Sequence, residues 1–298
     1  MTERNESVIG TARRAFFEEL FGKGALTVSA AGVVSVADTG QKLSVDAARR
    51  MFEKLALKYG LSTDLRPKLA GQQGGSVFEA AVKTFLETTF LALPHLRPGN
   101  WTVDKGSGTG IIIAQYQQYE HMAYVSERVR EDPKLIASLG HGYSIRPDVV
   151  ISRMPEPDEV INREAVIVGE GEAELTSIRR ANHEKPLLHA SISCKLTLRS
   201  DRAQNARTEA LTFIRDRNGR TPHIVLVTAE PVPSRLASIA LGTGDVDCVY
   251  HVALKELKET FEEFAAEGRE TDALAMMNVL TEGRRLRDIS DLPLDLTV

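Results

Sequence analysis

Three charged residues in the second half of the chain combine the chemistry that phosphodiester hydrolysis requires. Asp148 lies on a Val-rich and Ile-rich segment typical of a β-strand, and Lys195 lies near the end of the next such segment. Glu209 follows in a segment with the apolar spacing of a helix. An acid and a lysine on neighbouring strands can lie side by side, so the pattern predicts a compact site of mixed charge.

The atoms that this site would offer to a metal ion are mainly oxygens. Asp148, Glu209 and the backbone carbonyl of Cys194 are hard donors of the kind that Mg²⁺ prefers. A bound divalent cation polarises a phosphate and lowers the pKa of its water, and a second cation stabilises the leaving oxygen. Lys195 would offset negative charge on the phosphate or position the attacking water. The alternative interpretation is a solvated strand-start acid and an ordinary surface lysine.

A charged run, Arg199-Ser200-Asp201-Arg202, stands where the helix that carries Glu209 should begin. Ser200 or Asp201 can cap that helix, and a helix N-terminus can meet a phosphate. In the major groove, arginine can bond guanine through two hydrogen bonds and aspartate can accept one from cytosine. Arg202 and Glu209 are seven residues apart and share a face. The open alternative is a capped helix start with internal Asp–Arg pairing.

The composition bounds the function without deciding it. The 298 residues carry a formal net charge of -4, which argues mildly against nucleic acid, although the placement of charge matters more than its total. No apolar run approaches the roughly 18 residues that a membrane span needs, and residues 1–14 lack a secretory apolar stretch. Because only two cysteines are present, we expect a reducing, cytoplasmic location.

Strand-like and helix-like segments alternate along the second half, which predicts an α/β core with a largely covered sheet. Residues 71–75 are predicted to form a glycine-rich loop that approaches a ligand closely. Helices are expected at 13–22, 43–57, 77–93, 118–139, 203–215 and 255–268. Strands are expected at 101–104, 111–116, 143–152, 187–198, 223–229 and 248–254, with polar surface connections at 153–164 and 170–185.

These residues together resemble the type II restriction endonucleases that recognise a central CCGG. The similarity covers almost the whole chain and is densest at 189–195, 199–207, 222–251 and 288–296. It is patchier upstream, at 32–38, 71–72, 78–79, 97–99 and 116–119. The resemblance implies an αβα core of the PD-(D/E)xK nuclease type, with a mixed central sheet flanked by helices. It also implies one endonuclease domain over 1–298, with a helical part at about 1–140 and a catalytic core at about 141–298.

The resemblance also assigns roles within the site. In this lineage the second acid has moved from the strand to the helix, so Ser193 stands at its usual position and Glu209 takes its role. The implied catalytic residues are Glu79, Asp148, Lys195 and Glu209. The implied metal ligands are Asp148, Glu209 and the Cys194 carbonyl, holding two Mg²⁺ ions in each active site.

DNA contacts are implied in the same way. Readout of the central CCGG falls on the run that contains Arg199, Ser200, Asp201 and Arg202. The outer base pairs fall to Asp38 and Arg235, and a minor-groove contact falls to Gln72. The implied site is GCCGGC, cut after the first G to leave a four-base 5′ overhang.

The implied partners are double-stranded DNA, three further copies of the chain in a homotetramer that holds two DNA sites, and a cognate DNA methyltransferase in the same cell. The chain departs from the family pattern at 73–75, 106–113 and 153–185, which can alter flanking preference or tetramer contacts. Two alternatives stay open. One is a catalytically inactive DNA-binding protein of the same fold, and the other is a nonspecific or structure-directed repair nuclease.

Overall fold

A mixed β-sheet lies at the centre of the computed structural model, which describes residues 6–63, 65, 69–106, 112–131, 134, 146–242 and 244–298. Within these ranges the sheet has six strands in chain order: β1 (Trp101–Lys105), β2 (Val149–Arg153), β3 (Leu187–Lys195), β4 (His223–Thr228), β5 (Cys248–His251) and β6 (Leu286–Asp288). The pairs β1/β2 and β2/β3 are antiparallel, and the pairs from β3 to β6 are parallel. The predicted mixed α/β class is confirmed.

Helices cover both faces of this sheet. They are α1 (Val8–Gly22), α2 (Lys42–Tyr59), α3 (Gly71–Thr89), α4 (His121–Glu131), α5 (Asp158–Ile161), α6 (Ser200–Arg215), α7 (Pro233–Ala240), α8 (Leu254–Ala266), α9 (Thr271–Glu282) and α10 (Leu292–Asp295). In β2, Val149 and Ile151 join a large core that includes α1, α2, α3 and α8, whereas Val150 joins a smaller core with Phe213 of α6. Because strand side chains alternate, these two cores lie on opposite faces.

Strand direction decides where polar residues can meet. Val149 at the start of β2 pairs with Ile192 near the end of β3, so Asp148 lies beside the last residues of β3. In the parallel pair, Lys195 lies opposite Thr228, so the segments that follow β3 and β4 leave the sheet at the same edge. The carboxyl ends of β3 and β4 therefore define the edge where a site can form, which we call the β3/β4 edge.

One predicted strand is wrong. In the described part of 111–116, Ile112–Gln115 forms a 3₁₀ turn. The apolar run that suggested a strand packs instead into the smaller core, where Ile113 is fully buried. Tyr119 continues this contact, because its hydroxyl donates to the Phe213 carbonyl at 2.9 Å.

Other predicted helix and strand boundaries also differ from those in the structure. Residues 71–75, predicted as a loop, form the first turn of α3. The predicted helix 118–139 is helical over His121–Glu131, and its residues 132, 133 and 135–139 lie outside the described residues. Residues 143–145 of the third predicted strand also lie outside them. Helices α5, α7, α9 and α10 and strand β6 were not predicted. Among the described residues no helix is long and apolar enough to cross a bilayer.

A buried ion network connects the first helix to the last strand. Arg13 of α1 lies 3.0 Å from Glu256 of α8 and 3.1 Å from Asp288 of β6. Burial alone would lower the pKa of Arg13, but the two carboxylates outweigh it and raise that pKa. The network thus ties distant parts of the chain together through one guanidinium.

Replacing Arg13 with alanine should lower the free energy of unfolding by about 3–5 kcal/mol, because two largely buried carboxylates lose their partner. Urea unfolding followed by circular dichroism measures this loss. Arg14→Ala is the control, since Arg14 pairs with Glu6 at the surface and should change stability little. Equal free energies of unfolding for the two variants would contradict the stabilising role of Arg13.

Candidate active site

Asp148 and Lys195 form a partly buried ion pair at the β3/β4 edge. The Lys195 ammonium Nζ lies 2.8 Å from Asp148 Oδ2, and the side chains are 17% and 16% exposed. The same oxygen accepts the backbone N–H of Cys194 at 2.7 Å. Burial alone would lower the pKa of Lys195, but Asp148 and Glu209 outweigh it and raise that pKa. Lys195 therefore carries a full positive charge at neutral pH.

Glu209 approaches this pair from helix α6. Its Oε2 accepts a hydrogen bond from Ser193 Oγ at 3.5 Å, the limit for such a bond. Ser193 and Lys195 are two residues apart on β3 and project from the same face. Burial raises the pKa of Glu209, Lys195 opposes that shift, and Asp148 adds to it. The helix acid therefore interacts electrostatically with both members of the strand pair.

Glu79 enters the cluster from α3. Burial raises the pKa of Glu79, and the charge of Asp148 raises it further. Lys105, the last residue of β1, places its Nζ 4.0 Å from Glu79 Oε2 and donates to the Ser76 carbonyl at 3.2 Å. Lys105 was not singled out from the sequence. Its position follows from the β1/β2 pairing, which sets Lys105 opposite Val149, and that pairing could not be known beforehand.

The donor set fits a hard cation by its chemistry. Burial is the main cause of the raised pKa values of Glu79 and Glu209, because it disfavours their negative charges, and a bound cation would offset that cost. Burial raises the pKa of the Cys194 thiol well above its usual value, which leaves the backbone carbonyl as the donor from this residue. Among the described residues no three His, Cys, Asp or Glu side chains are grouped as a ready metal site. A ligand set here would therefore combine carboxylates with a carbonyl.

These residues face a cleft of about 560 Å³. Of the residues singled out in the sequence, its walls contain Asp38, Gln72, Glu79, Cys194, Lys195, Arg199, Arg202, Glu209 and Arg235. Asp148 is not among the residues that line the cleft, but it accepts a hydrogen bond from Lys195, which does line it. Ser200 and Asp201 are exposed at the helix start, outside the cleft lining.

The start of α6 differs from the expected capped helix. Arg199 occupies the N-cap position in an extended conformation, with no side-chain cap bond. The capping prediction for Ser200 and Asp201 is wrong because both already lie inside the first turn. Arg199 and Asp201 are exposed, while Arg202 is half-buried and its Nη1 donates to Thr197 Oγ1 at 2.8 Å. The exposed groups are therefore free to meet a partner.

Asp38 and Arg235 come from distant parts of the chain and form an ion pair in the cleft wall. Arg235 lies on α7, and Asp38 lies in the segment that precedes α2. The Arg235 Nη2 atom is 2.5 Å from Asp38 Oδ2. The hydrogen bond from Arg235 lowers the pKa of Asp38, and the Gly40 N–H lowers it further. An Asp and an Arg at adjacent positions offer one acceptor and several donors, which suits the two edges of a C·G pair.

Gln72 is exposed in the first turn of α3. None of the glycines in 71–75 has a positive φ, so this segment does not use the special backbone freedom predicted from its composition. A Cβ atom on Gly71 would lie 3.9 Å from the Arg202 guanidinium, which shows how closely α3 and α6 begin. The two helix starts thus stand side by side at the cleft.

Comparison with known proteins identifies the class. The family model described as "NgoMIV restriction enzyme" matches residues 16–298. Type II restriction enzyme NgoMIV of Neisseria gonorrhoeae is 46% identical over 287 residues, 96% of this chain and 97% of that protein. The protein is a type II restriction endonuclease, as its sequence resemblance suggested. Within that class, the chain belongs to the NgoMIV restriction enzyme family.

Two solved structures of Bse634I are also similar. The type IIF restriction endonuclease Bse634I with cognate DNA is 14% identical, with a TM-score of 0.36, and the match covers 84% of this chain and 91% of that one. A second Bse634I structure is 14% identical, with a TM-score of 0.34 and coverage of 83% and 91%. The family assignment rests on the sequence matches and not on these distant structures.

Proposed function

We propose that the enzyme hydrolyses double-stranded DNA at GCCGGC in a Mg²⁺-dependent reaction, cutting after the first G to leave a four-base 5′ overhang. One observation carries the proposal: an acid–lysine cluster and an arginine-rich helix start share one cleft. The cluster supplies charges suited to phosphate chemistry, and the helix start supplies donors suited to guanine. Cleavage and sequence reading are thereby joined in one site.

In the proposed reaction, Asp148, Glu209 and the Cys194 carbonyl would hold two Mg²⁺ ions in each active site. When bound, Mg²⁺ supplies Lewis-acid polarisation of the phosphate and a more acidic water. Lys195, fixed by its bond to Asp148, offsets the negative charge that grows on the phosphate. Glu79 lies near enough to Asp148 for the Asp148 charge to add to the effect of burial in raising the pKa of Glu79, and we assign Glu79 an assisting role.

For recognition we assign the central CCGG to Arg199, Asp201 and Arg202, with Ser200 in the same run. The outer base pairs go to Asp38 and Arg235, and Gln72 reaches the minor groove. Arginine bonds guanine through two donors, and aspartate accepts from cytosine, so the residue types match the bases. The exposure of Arg199 and Asp201 leaves these groups available for the contacts.

A digest of DNA of known sequence, with the fragment ends mapped, tests this proposal. Fragment ends at GCCGGC, with the overhang described and no cutting without Mg²⁺, would support it. Specific binding of a GCCGGC duplex without strand scission would favour the inactive DNA-binding alternative. Cleavage that ignores sequence would favour a nonspecific or structure-directed repair nuclease.

Replacing Arg202 with alanine should weaken readout of the central guanines. One lost bidentate contact costs about 1–3 kcal/mol of discrimination, and a multimer repeats the loss at each symmetric copy. The measurement is the ratio of kcat/KM on GCCGGC to that on a duplex with one central pair changed. Arg215→Ala, at the far end of α6, is the control and should keep the wild-type ratio. An unchanged ratio in Arg202→Ala would remove this residue from recognition.

We further propose that 1–298 acts as one endonuclease domain and assembles as a homotetramer that binds two DNA sites. Such an enzyme would work in the cytoplasm beside a cognate methyltransferase that protects the host DNA. Both cysteines are free and buried, which agrees with a reducing location. Sedimentation of the free protein tests the assembly, and faster cutting of two-site than one-site plasmids tests the paired binding.

A further inference from the structure

A fully buried carboxylate, Glu230, lies just after β4 and outside every role assigned so far. Its side chain is 0% exposed. Its Oε2 accepts the Leu198 N–H at 2.7 Å, and its Oε1 accepts the Val232 N–H at 3.2 Å. Oε1 also lies 3.6 Å from Arg235 Nη1. One carboxylate therefore contacts the end of the β3 connection and the helix α7 together.

Both contacts lead directly to the proposed recognition residues. Leu198 immediately precedes Arg199, the N-cap of α6, so its N–H helps to set where that helix begins. Arg235 is held between Glu230 on one side and Asp38 on the other. We propose that Glu230 is a positioning residue for specificity, which fixes the α6 start and Arg235 relative to each other. This inference rests on the proposed function of Arg235 in outer base-pair readout.

The burial of Glu230 argues for such a role. An ionised carboxylate without exposure is costly to desolvate, and an apolar side chain would usually serve packing at least as well. The two backbone N–H groups and the arginine make an ionised group tolerable, and each of them belongs to the recognition surface or its support. The backbone of Glu230 is itself fixed, because its N–H donates to Thr228 Oγ1 at 3.1 Å.

The charge state of Glu230 gives the proposal a pH signature. Burial raises its pKa to about 7, although the Leu198 N–H and Arg235 oppose that shift. Two other ionisable groups lie close by. One is Asp38, whose pKa Arg235 lowers; the other is His251 of β5, whose Nε2 lies 3.1 Å from the backbone carbonyl of Glu230 and whose pKa burial lowers to about 4. Neither titrates near neutrality. Protonation below pH 7 therefore removes the charge that orients Arg235.

The test compares the intact wild-type enzyme with Glu230→Gln on GCCGGC and ACCGGT duplexes, which differ only in the outer pairs. We expect the kcat/KM ratio to fall about tenfold in the variant, within the range for one weakened base contact. The wild-type ratio should fall between pH 8 and pH 6, whereas the variant ratio should stay flat. Because the ratio compares two substrates of one enzyme, titration of the common cleavage step cancels.

Glu256→Gln is the matched control, since Glu256 is also buried but pairs with Arg13 and Lys58 away from the cleft. It should lose stability and keep the wild-type ratio. A Glu230→Gln enzyme with an unchanged ratio and pH profile would overturn the inference and leave the proposed function intact. If the wild-type enzyme prefers a sequence other than GCCGGC, the proposed recognition site is wrong. The kcat/KM ratio is then measured on the mapped site and on duplexes that differ from it in the outer pairs. If it binds without cutting, equilibrium dissociation constants replace kcat/KM.

Discussion

Lys195→Ala should lower the rate of DNA cleavage by about 10²–10³-fold, the range for loss of one preorganised charge stabiliser. Lys195 is the cation nearest to Asp148 at the β3/β4 edge, at 2.8 Å. Removing it takes away the positive charge that Lys195 would direct at the phosphate. Among the described residues, it also leaves the Cys194 N–H as the remaining hydrogen-bond donor to the Asp148 carboxylate. Single-turnover cleavage of a GCCGGC duplex at saturating Mg²⁺ measures the loss.

Binding of the same duplex without metal separates chemistry from folding in this experiment. Lys195→Ala should still bind the DNA, because the proposed base contacts lie on other residues. Lys185→Ala is a matched control, since Lys185 forms a surface pair with Glu120 at 3.2 Å. Near-normal cleavage by Lys195→Ala would refute its assigned role.

Asp148→Asn should reduce cleavage on the order of a thousandfold, the upper end of the range for one electrostatic group. Asparagine keeps the shape of the side chain and one acceptor for the Cys194 N–H, but it removes the negative charge that pairs with Lys195. The same change removes an anionic ligand from the proposed cation site. Cleavage measured across a Mg²⁺ titration should therefore show a lower maximum and a midpoint at higher Mg²⁺.

Asp158→Asn provides the comparison, because Asp158 pairs with Arg179 at 2.6 Å in the polar excursion and not at the cleft. That variant should cut at the wild-type rate. An Asp148→Asn enzyme with the wild-type rate and the wild-type Mg²⁺ midpoint would show that the acid is structural only.

The sequence predicted the part of the candidate site that depends on neighbouring strands. Asp148 and Lys195 lie at opposite ends of their strands, and antiparallel pairing brings such ends together. The apolar pattern of the sequence predicted both strands, so the proximity of Asp148 and Lys195 could be expected. Glu79 did not follow, because nothing local to α3 indicates that its helix packs against this edge. Only the family resemblance connected it to the site.

The features that the sequence did not predict have a common physical origin, because contacts between distant residues determine them. Strand β6 is three residues long and partly charged, so it has no periodicity of its own and is set by pairing with β5. The glycines of 71–75 favour a loop by propensity, but Gly74 is buried and packing keeps them helical. Glu230 showed no sequence signal because a buried acid is recognised only by its surroundings.

Gln72 and Glu79 lie on one continuous helix, α3, and both face the cleft. Seven residues of helix separate them by about 10.5 Å along its axis. If Gln72 makes the proposed minor-groove contact, a shift of the helix start on a poorly fitting duplex would also move the Glu79 carboxylate, because both residues belong to the same helix. An imperfect sequence would then be rejected twice, once as the duplex docks and again when the strand is to be severed.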